Sequence, residues 1–141
     1  MKVYDVMSTE LIQIDPAETT AAAARLLSRH NIGFLPVCKN GNLVGVVTDR
    51  DIVLRCVAAG LPADSTSVSQ VMTQRVITVS PDDDLKLASG KMATEQVRRL
   101  PVVQDRRLVG IVSLGDLAKQ PDYSLEAAEC LCDVCDNTSG R

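Results

Sequence analysis

The sequence predicts an α+β fold of two β-α-β-β-α repeats, packed as a pseudo-symmetric pair, plus a short C-terminal helix. The first reason is a gapless internal alignment, in which residues 3–55 match residues 68–120. The second reason is that both copies carry the same order of extended runs, helix-start signals and hairpin signals. We expect repeat 1 at 1–62, repeat 2 at 63–121 and a helical, cysteine-rich tail at 122–141.

Each repeat opens with an extended apolar run, LIQI in the first copy and VITV in the second. An Asp-Pro or Ser-Pro pair follows, at 15–16 and 80–81. An N-cap residue with proline at the first helical position predicts a helix start, and Glu18 or Asp83 completes a capping box. The predicted first helices are TTAAAARLLSRH and LKLASGKMATEQ.

Two short strands and a second helix complete each copy. The strands are FLPVC and LVGVV in repeat 1, and RLPVV and LVGIV in repeat 2. The Asn-Gly pair at 40–41 predicts a type I′ turn, because both residues tolerate positive φ. The second helices begin at Thr48 and Ser113, and the first of them ends near residues 60–62. A unit of about 55 residues buries only ~60 % of its unfolded surface, so each copy needs the other.

The bulk composition narrows the function classes. The chain has 141 residues, a net charge of −3 and only 2 % aromatic residues. An acidic chain does not favour nucleic-acid binding, which needs basic phosphate contacts. It has neither an apolar run long enough to span a membrane nor the apolar core of a signal peptide. Its five cysteines do not form a secreted disulfide pattern. We expect a cytoplasmic protein without nucleic-acid or membrane partners.

The most informative motif is the repeated sequence at the start of the second helix, TDRD in repeat 1 and SLGD in repeat 2. Thr48 and Asp51, like Ser113 and Asp116, have the spacing of a capping box, which is a purely structural function. The same residues suit a nucleotide, because the hydroxyl can meet phosphate and the carboxylate can accept from ribose hydroxyls. A glycine in each preceding strand leaves room for an incoming group. Both interpretations remain open from the residues alone.

These motifs together resemble the cystathionine β-synthase (CBS) domain family, over residues 3 to about 120. The resemblance rests on VMS/VMT, the Asp-Pro or Ser-Pro start, LPV, and GVVTDRD/GIVSLGD. It implies a Bateman module, similar to stand-alone bacterial two-repeat proteins. Such a module would be no enzyme and require no cofactor. It would bind AMP, ADP, ATP or S-adenosylmethionine in inter-repeat clefts, form a homodimer, and signal to an effector protein in trans.

The resemblance also implies roles for individual residues. It implies that Asp51 and Asp116 bind the ribose hydroxyls and that Thr48 and Ser113 contact ribose or phosphate. The basic residue before LPV, Arg98, would bind phosphate, and Ile12 and Ile77 would form walls of the pocket. Repeat 1 has Gly33 where repeat 2 has Arg98, so we expect repeat 2 to hold the better site. The candidate ligand-binding residues are Thr48, Arg50, Asp51, Arg98, Arg99, Ser113, Gly115, Asp116, Ile12 and Ile77.

The tail cysteines, His30 and the acidic run at 82–84 fall outside this ligand site. The tail cysteines Cys130, Cys132 and Cys135 are candidates for a zinc, copper(I) or redox site, although the same stretch also fits an amphipathic packing helix. No metal site is assigned. His30 fits a helix end rather than a catalytic role, and residues 82–84 fit helix capping. Two alternative functions remain: a redox- or metal-responsive interaction protein acting through the tail, and a ligand-free dimeric scaffold.

Overall fold

The computed structural model describes residues 1–120, so the tail predicted as a helix at 122–141 lies outside the described residues. The predicted α+β class is confirmed. The chain forms two compact units: residues 12–76, here called the repeat-1 unit, and residues 1–11 with the chain from residue 77 onward, called the repeat-2 unit. The first eleven residues therefore pack with the second repeat. The packing units differ in this respect from the sequence repeats at 1–62 and 63–121.

The repeat-1 unit contains three helices and one hairpin in its described elements. A π-helical turn, Val53–Val57, continues its second helix directly. The elements are α1 (Thr20–His30), β1 (Phe34–Lys39), β2 (Asn42–Thr48), α2 (Asp49–Ile52) and α3 (Val68–Val71).

The repeat-2 unit has the corresponding hairpin and helices. Its N-terminal segment contributes a single 3-10 turn, Val3–Asp5. The elements are α4 (Leu85–Glu95), β3 (Arg99–Gln104), β4 (Arg107–Ser113) and α5 (Leu114–Ala118).

Both predicted hairpins form, with matching registers. β1 pairs antiparallel with β2 and β3 with β4, and each pair carries one register shift. The turns have positive φ at both central residues: 54° and 83° at Asn40 and Gly41, and 52° and 69° at Asp105 and Arg106. The type I′ turn predicted from Asn-Gly is therefore confirmed, and repeat 2 makes the same turn without glycine.

The predicted first strands are much shorter than expected. The LIQI and VITV runs are extended, but each contributes one parallel bridge, Ile14 to Val37 and Val79 to Val102. Ile14 donates its N–H to Pro36 and accepts from the N–H of Cys38. The alternation of apolar residues correctly predicted that Ile14 and Val79 face the core, but the β-pairing of each run stops after a single bridge.

The first helices match the predicted sequences to within one residue at each end, but their N-caps differ from those predicted. The N-caps are Thr19 and Asp84, not Asp15 and Ser80, whose residues form separate turns. Tertiary contacts also hold the helix starts, because the backbone N–H of Thr20 donates to Thr66 O, 2.8 Å away. The equivalent N–H in α4 donates to the carbonyl of residue 1 at 3.0 Å. Each helix start is thus held by a distant segment.

Each unit has its own apolar core beneath its hairpin. The largest fully buried side chains are leucine, methionine and valine, as the near absence of aromatic residues requires. The repeat-1 core is Ile14, Ala23, Leu27, Leu35, Val37, Val47, Ile52, Cys56, Val68 and Val71. The repeat-2 core is Val3, Val79, Leu85, Ala88, Met92, Leu100, Val102, Val112, Leu114 and Leu117.

The glycines of LVGVV and LVGIV lie under a crossing segment of the chain. A Cβ on Gly45 would stand 2.8 Å from Met72 Sδ and 2.9 Å from Thr73 O. A Cβ on Gly110 would stand 2.6 Å from the sulfur of Met7. The sequence interpretation, that these glycines leave room for a ligand, is therefore wrong, because the protein's own VMT and VMS segments occupy that space.

We expect Gly45→Ala and Gly110→Ala each to lower the free energy of unfolding by about 1–3 kcal/mol, because the methyl group must displace a sulfur and a backbone oxygen. Urea denaturation followed by circular dichroism measures the change. Gly90→Ala is the matched control. Gly90 lies within α4 with no atom within 4 Å of an added Cβ, so alanine there should stabilise by about 0.5–1 kcal/mol. An equal loss at all three positions would contradict the steric explanation.

Candidate functional site

Both second helices start with a complete capping box at the end of a buried strand. Thr48 Oγ1 accepts from the N–H of Asp51 at 3.0 Å, and Asp51 Oδ2 accepts from the N–H of Thr48 at 3.0 Å. In repeat 2, Ser113 Oγ accepts from Asp116 N–H at 3.1 Å and Asp116 Oδ2 accepts from Ser113 N–H at 2.8 Å. The capping interpretation is confirmed in both copies. A carboxylate accepts through two oxygens, so capping through Oδ2 does not use up its acceptor capacity.

The repeat-2 unit brings four of the candidate residues together. Arg98 lies just before β3, and its carbonyl accepts from the N–H of Leu114 at 2.8 Å, which fixes it beside the start of α5. Ser113 and Asp116 belong to that same helix start. Arg98 and the adjacent Arg99 are exposed. A hydroxyl residue, an acidic residue and two arginine residues thus lie at one strand end.

Gly115 also belongs to this helix start and is exposed. The backbone there does not need glycine, because an added Cβ would make only an ordinary contact, 3.6 Å from Ser113 Oγ. Its predicted function, room for a phosphate, stays a prediction.

The equivalent place in the repeat-1 unit has a different charge. Gly33 takes the position of Arg98, and its carbonyl accepts from the N–H of Asp49 at 3.1 Å. The Asp49 carboxylate folds back against this glycine, with Oδ2 3.2 Å from where a Cβ would stand. Two carboxylates, Asp49 and Asp51, therefore surround this helix start, with the exposed Arg50 beside them. Repeat 1 presents an acidic site where repeat 2 presents a basic one.

Thr73 is a site residue that the sequence interpretation missed. Its hydroxyl donates to Asp51, 3.2 Å from Oδ1 and 3.4 Å from Oδ2. Two backbone hydrogen bonds with Val46 hold it across β2. Arg55 supports the same segment, because its Nη1 donates to the carbonyl of Met72 at 2.9 Å. Thr73 follows the VM pair, as Ser8 does in the first copy, and that shared hydroxyl was the available signal.

The isoleucines proposed as pocket walls are half-buried. Ile12 packs against the repeat-1 core and Ile77 against the repeat-2 core. Their contribution to a ligand site stays a prediction.

Several titratable residues outside the two helix starts have structural positions. His30 is exposed in the last turn of α1, as predicted. Asp84 caps α4, so the capping interpretation of the acidic run is confirmed for this residue, whereas Asp83 accepts from the N–H of Ser80 at 2.7 Å in the turn before the helix. Burial raises the pKa of the Cys38 thiol to about 11. That thiol is protonated at neutral pH and is therefore a poor nucleophile and metal ligand.

Neither a metal-binding cluster nor a membrane-spanning helix is found in the described part of the chain. Within residues 1–120, no group of three or more His, Cys, Asp or Glu side chains is placed to hold a metal ion. None of the helices in that range has the length and apolar character needed to cross a membrane. Cys130, Cys132 and Cys135 lie outside the described residues, so their metal or redox function stays a prediction.

Comparison with known proteins gives a consistent family assignment. The family model described as "CBS domain" matches twice, at residues 3–57 and 68–122. The CBS domain-containing protein YhcV of Bacillus subtilis is 42 % identical over 132 residues, which cover 94 % of each chain.

Two solved structures resemble this chain in fold. The crystal structure of Hypoxic Response Protein I with two coordinated zinc ions superposes with a TM-score of 0.78 at 34 % identity, covering 84 % of this chain and 98 % of the other. A relative of this chain in Mycobacterium tuberculosis is named hypoxic response protein 1. The CBS domain pair of protein MJ0100, in complex with 5′-methylthioadenosine and S-adenosyl-L-methionine, gives 0.73 at 32 % identity, covering 84 % and 94 %.

We expect Thr48→Ala and Ser113→Ala each to lower the free energy of unfolding by about 0.5–2 kcal/mol, because each removes the side-chain acceptor of a helix N-cap. Chemical denaturation measures the loss. Ser65→Ala is the control, since Ser65 is exposed and caps no helix, and its change should stay near zero. A stability unchanged by both cap substitutions would mean that these hydroxyls are not needed for folding.

Proposed function

The chain belongs to the CBS domain family, and from this premise we propose that it is a regulatory module that senses an adenosine-containing ligand, not an enzyme. CBS domain pairs are regulatory ligand-binding modules. The ligand of this chain would be AMP, ADP, ATP or S-adenosylmethionine, bound at the start of α5. The adenosyl ligands in the MJ0100 complex support this class of compound.

One observation carries the proposal: Arg98, Ser113 and Asp116 are gathered at one strand end. A guanidinium group binds phosphate or carboxylate through charge-assisted hydrogen bonds, which are stronger than neutral ones. The carboxylate of Asp116 can accept from ribose hydroxyls while its Oδ2 caps the helix. A nucleotide presents both a diol and an anion, and so does S-adenosylmethionine through its ribose and carboxylate. The residues match both ends of such a ligand.

The repeat-1 site is the poorer one in this proposal. The carboxylate of Asp51 accepts from the side chain of Thr73 as well as from the cap N–H, so it has less acceptor capacity left for a ribose than Asp116. Asp49 would repel a phosphate at the position where Arg98 attracts one in repeat 2. Arg50 is the nearby cation, and the two adjacent carboxylates, Asp49 and Asp51, offset its charge.

Regulation requires a second state and a partner. A ligand shifts an equilibrium only if it binds one arrangement of the protein more tightly than another. We propose that the ligand selects such an arrangement and that an effector protein recognises it in trans. The protein would work in the cytoplasm, where the buried free thiols of Cys38 and Cys56 stay reduced.

A thermal-shift panel of AMP, ADP, ATP and S-adenosylmethionine, with GTP as the base control, identifies the ligand. At 100 times its dissociation constant a ligand adds about 2.7 kcal/mol of stability. Calorimetric titration of the active compound into Asp116→Asn protein should then show about tenfold weaker binding, a loss of about 1.4 kcal/mol. Asparagine keeps an acceptor oxygen for the cap, but it loses the negative charge and replaces the second oxygen by an NH₂ donor, which weakens acceptance from the ribose hydroxyls.

Asp51→Asn is the matched control for that titration, because it makes the same change at the equivalent residue of repeat 1. The affinity of the tighter site should change there by less than about twofold. Equal losses in both variants would contradict the proposed difference between the repeats. Lack of a shift with every adenosyl compound would overturn the sensing function and favour the ligand-free scaffold.

We also propose that the chain forms a homodimer through the second helix of repeat 1. The π-helical turn and the residues after it expose Val53, Leu54, Val57 and Leu61, with 55, 50, 66 and 43 % of each surface accessible. Val53, Leu54 and Val57 lie on the helical turn itself, and Leu61 follows the turn that ends it. The Val57 side chain is the most exposed of the four, and a second copy of the chain would cover it together with its neighbours.

Val57→Glu should convert the dimer to a monomer, because a charge buried in an apolar interface costs more than the contact gains. Light scattering after size exclusion measures the mass. Leu87→Glu is the control, since Leu87 is also exposed, at 46 %, but lies on α4 in the repeat-2 unit. A wild-type protein that is monomeric at micromolar concentration would overturn the dimer proposal.

A separate hypothesis is that the cysteine tail binds a metal or responds to redox conditions. Hypoxic Response Protein I was solved with two zinc ions, and this chain has a C-x-x-C pair at Cys132 and Cys135. Thiolates at that spacing suit zinc. Metal analysis and thiol counting on anaerobically purified protein distinguish a metal- or redox-responsive protein from a pure ligand sensor.

A further inference from the structure

The repeat-1 unit contains a cavity away from the helix start of α2. Its volume is about 390 Å³, within the usual range for small-molecule sites. The outer face of α1 and the segment before it form the walls. The residues that matter for its chemistry are Ile14, Asp15, Glu18, Ala22, Arg25, Leu26 and Arg29.

Arg25 and Arg29 place two positive charges on the cavity wall. They are four residues apart on α1, which puts them on the same side of the helix, about 6 Å apart along its axis. Both side chains are exposed, and neither has a hydrogen bond or an ion pair within residues 1–120. Two guanidinium groups at this spacing can bind one carboxylate or phosphate together.

The rest of the cavity wall combines apolar and acidic residues. Ile14, which is 5 % exposed, and the half-buried Ala22 and Leu26 provide a surface continuous with the core. Asp15 and Glu18, from the segment before α1, are the acidic residues of the wall. A ligand that carries negative charge at one end only can place it on the arginines, whereas a polyanion would also meet these carboxylates.

The second repeat shows that this arrangement is not required by the fold. Lys91 stands in α4 where α1 has Leu26, and its Nζ donates to the carbonyl of Thr78 at 2.7 Å. Thr78 aligns with Gln13, which lines the repeat-1 cavity. The positions of the two arginines are taken by Gly90 and Thr94. The same backbone thus forms a different groove, in which a lysine bonds to the wall and no arginine pair is present.

We propose that this cavity is a second binding site, specific for a small organic anion with an apolar body. The Arg25 and Arg29 side chains hold its carboxylate or phosphate, and Ile14, Ala22 and Leu26 contact its apolar part. The site is separate from the adenosine-ligand residues of the repeat-2 unit, so either function can fail without the other.

Phenyl phosphate is the test probe, because it joins an anion to an apolar ring. Two-dimensional ¹H–¹⁵N NMR of the full chain follows its binding at millimolar concentration. We expect the amide shifts to concentrate in residues 13–29. Inorganic phosphate, which lacks the apolar part, should bind about tenfold more weakly, as should phenyl phosphate to protein carrying Arg25→Gln with Arg29→Gln.

Two further variants keep the test decisive. Lys86→Gln with Lys119→Gln removes the same charge from exposed lysines of the repeat-2 unit, and should leave binding unchanged. Leu26→Lys imitates repeat 2 and should abolish binding, while the unaffected part of the spectrum reports that the protein stays folded. Absence of shifts in residues 13–29, or equal weakening in the arginine and lysine variants, would overturn the proposal.

Discussion

The pairing of a short methionine-containing segment across a glycine of the hairpin is the constraint on which the rest of the structure depends. Thr73 exchanges two backbone hydrogen bonds with Val46, and Ser8 exchanges two with Ile111. A backbone can approach a strand this closely only where the strand has no side chain. The crossing therefore demands glycine beneath it. It also fixes which segment lies beside each capped helix start, and this decides the surroundings of Asp51.

One local geometry serves both folding and binding. The carboxylate at the third position of each second helix caps the chain through one oxygen and retains acceptor capacity at the other. The fold alone would preserve this box in both repeats. The groups around the box, and not the box itself, therefore distinguish a ligand site from a folding element. Arg98 in one repeat and Asp49 in the other make that difference.

The duplication separates what the fold needs from what it tolerates. Positions that pack under a crossing or in a core are either identical in both copies, as with Gly45 and Gly110 or Leu35 and Leu100, or exchange one apolar residue for another, as with Leu27 and Met92. Positions at the surface have diverged. The residue before the first hairpin strand is one such position, and the outer face of the first helix is another. Each unit thus carries the same architecture with different chemistry on its exposed parts, so one chain can present unlike sites.

The sequence by itself determined the duplication, both hairpins with their turns, and the caps at Thr48 and Ser113, because each is a local signal within a few residues. Only the tertiary structure decided which distant group holds the start of α1, where Thr20 donates to the carbonyl of Thr66, 46 residues away. It also decided that Thr73 reaches Asp51, 22 residues earlier, and that the first eleven residues pack with the second repeat. Most of these contacts join backbone groups, which every residue possesses, and so they leave no pattern in the sequence.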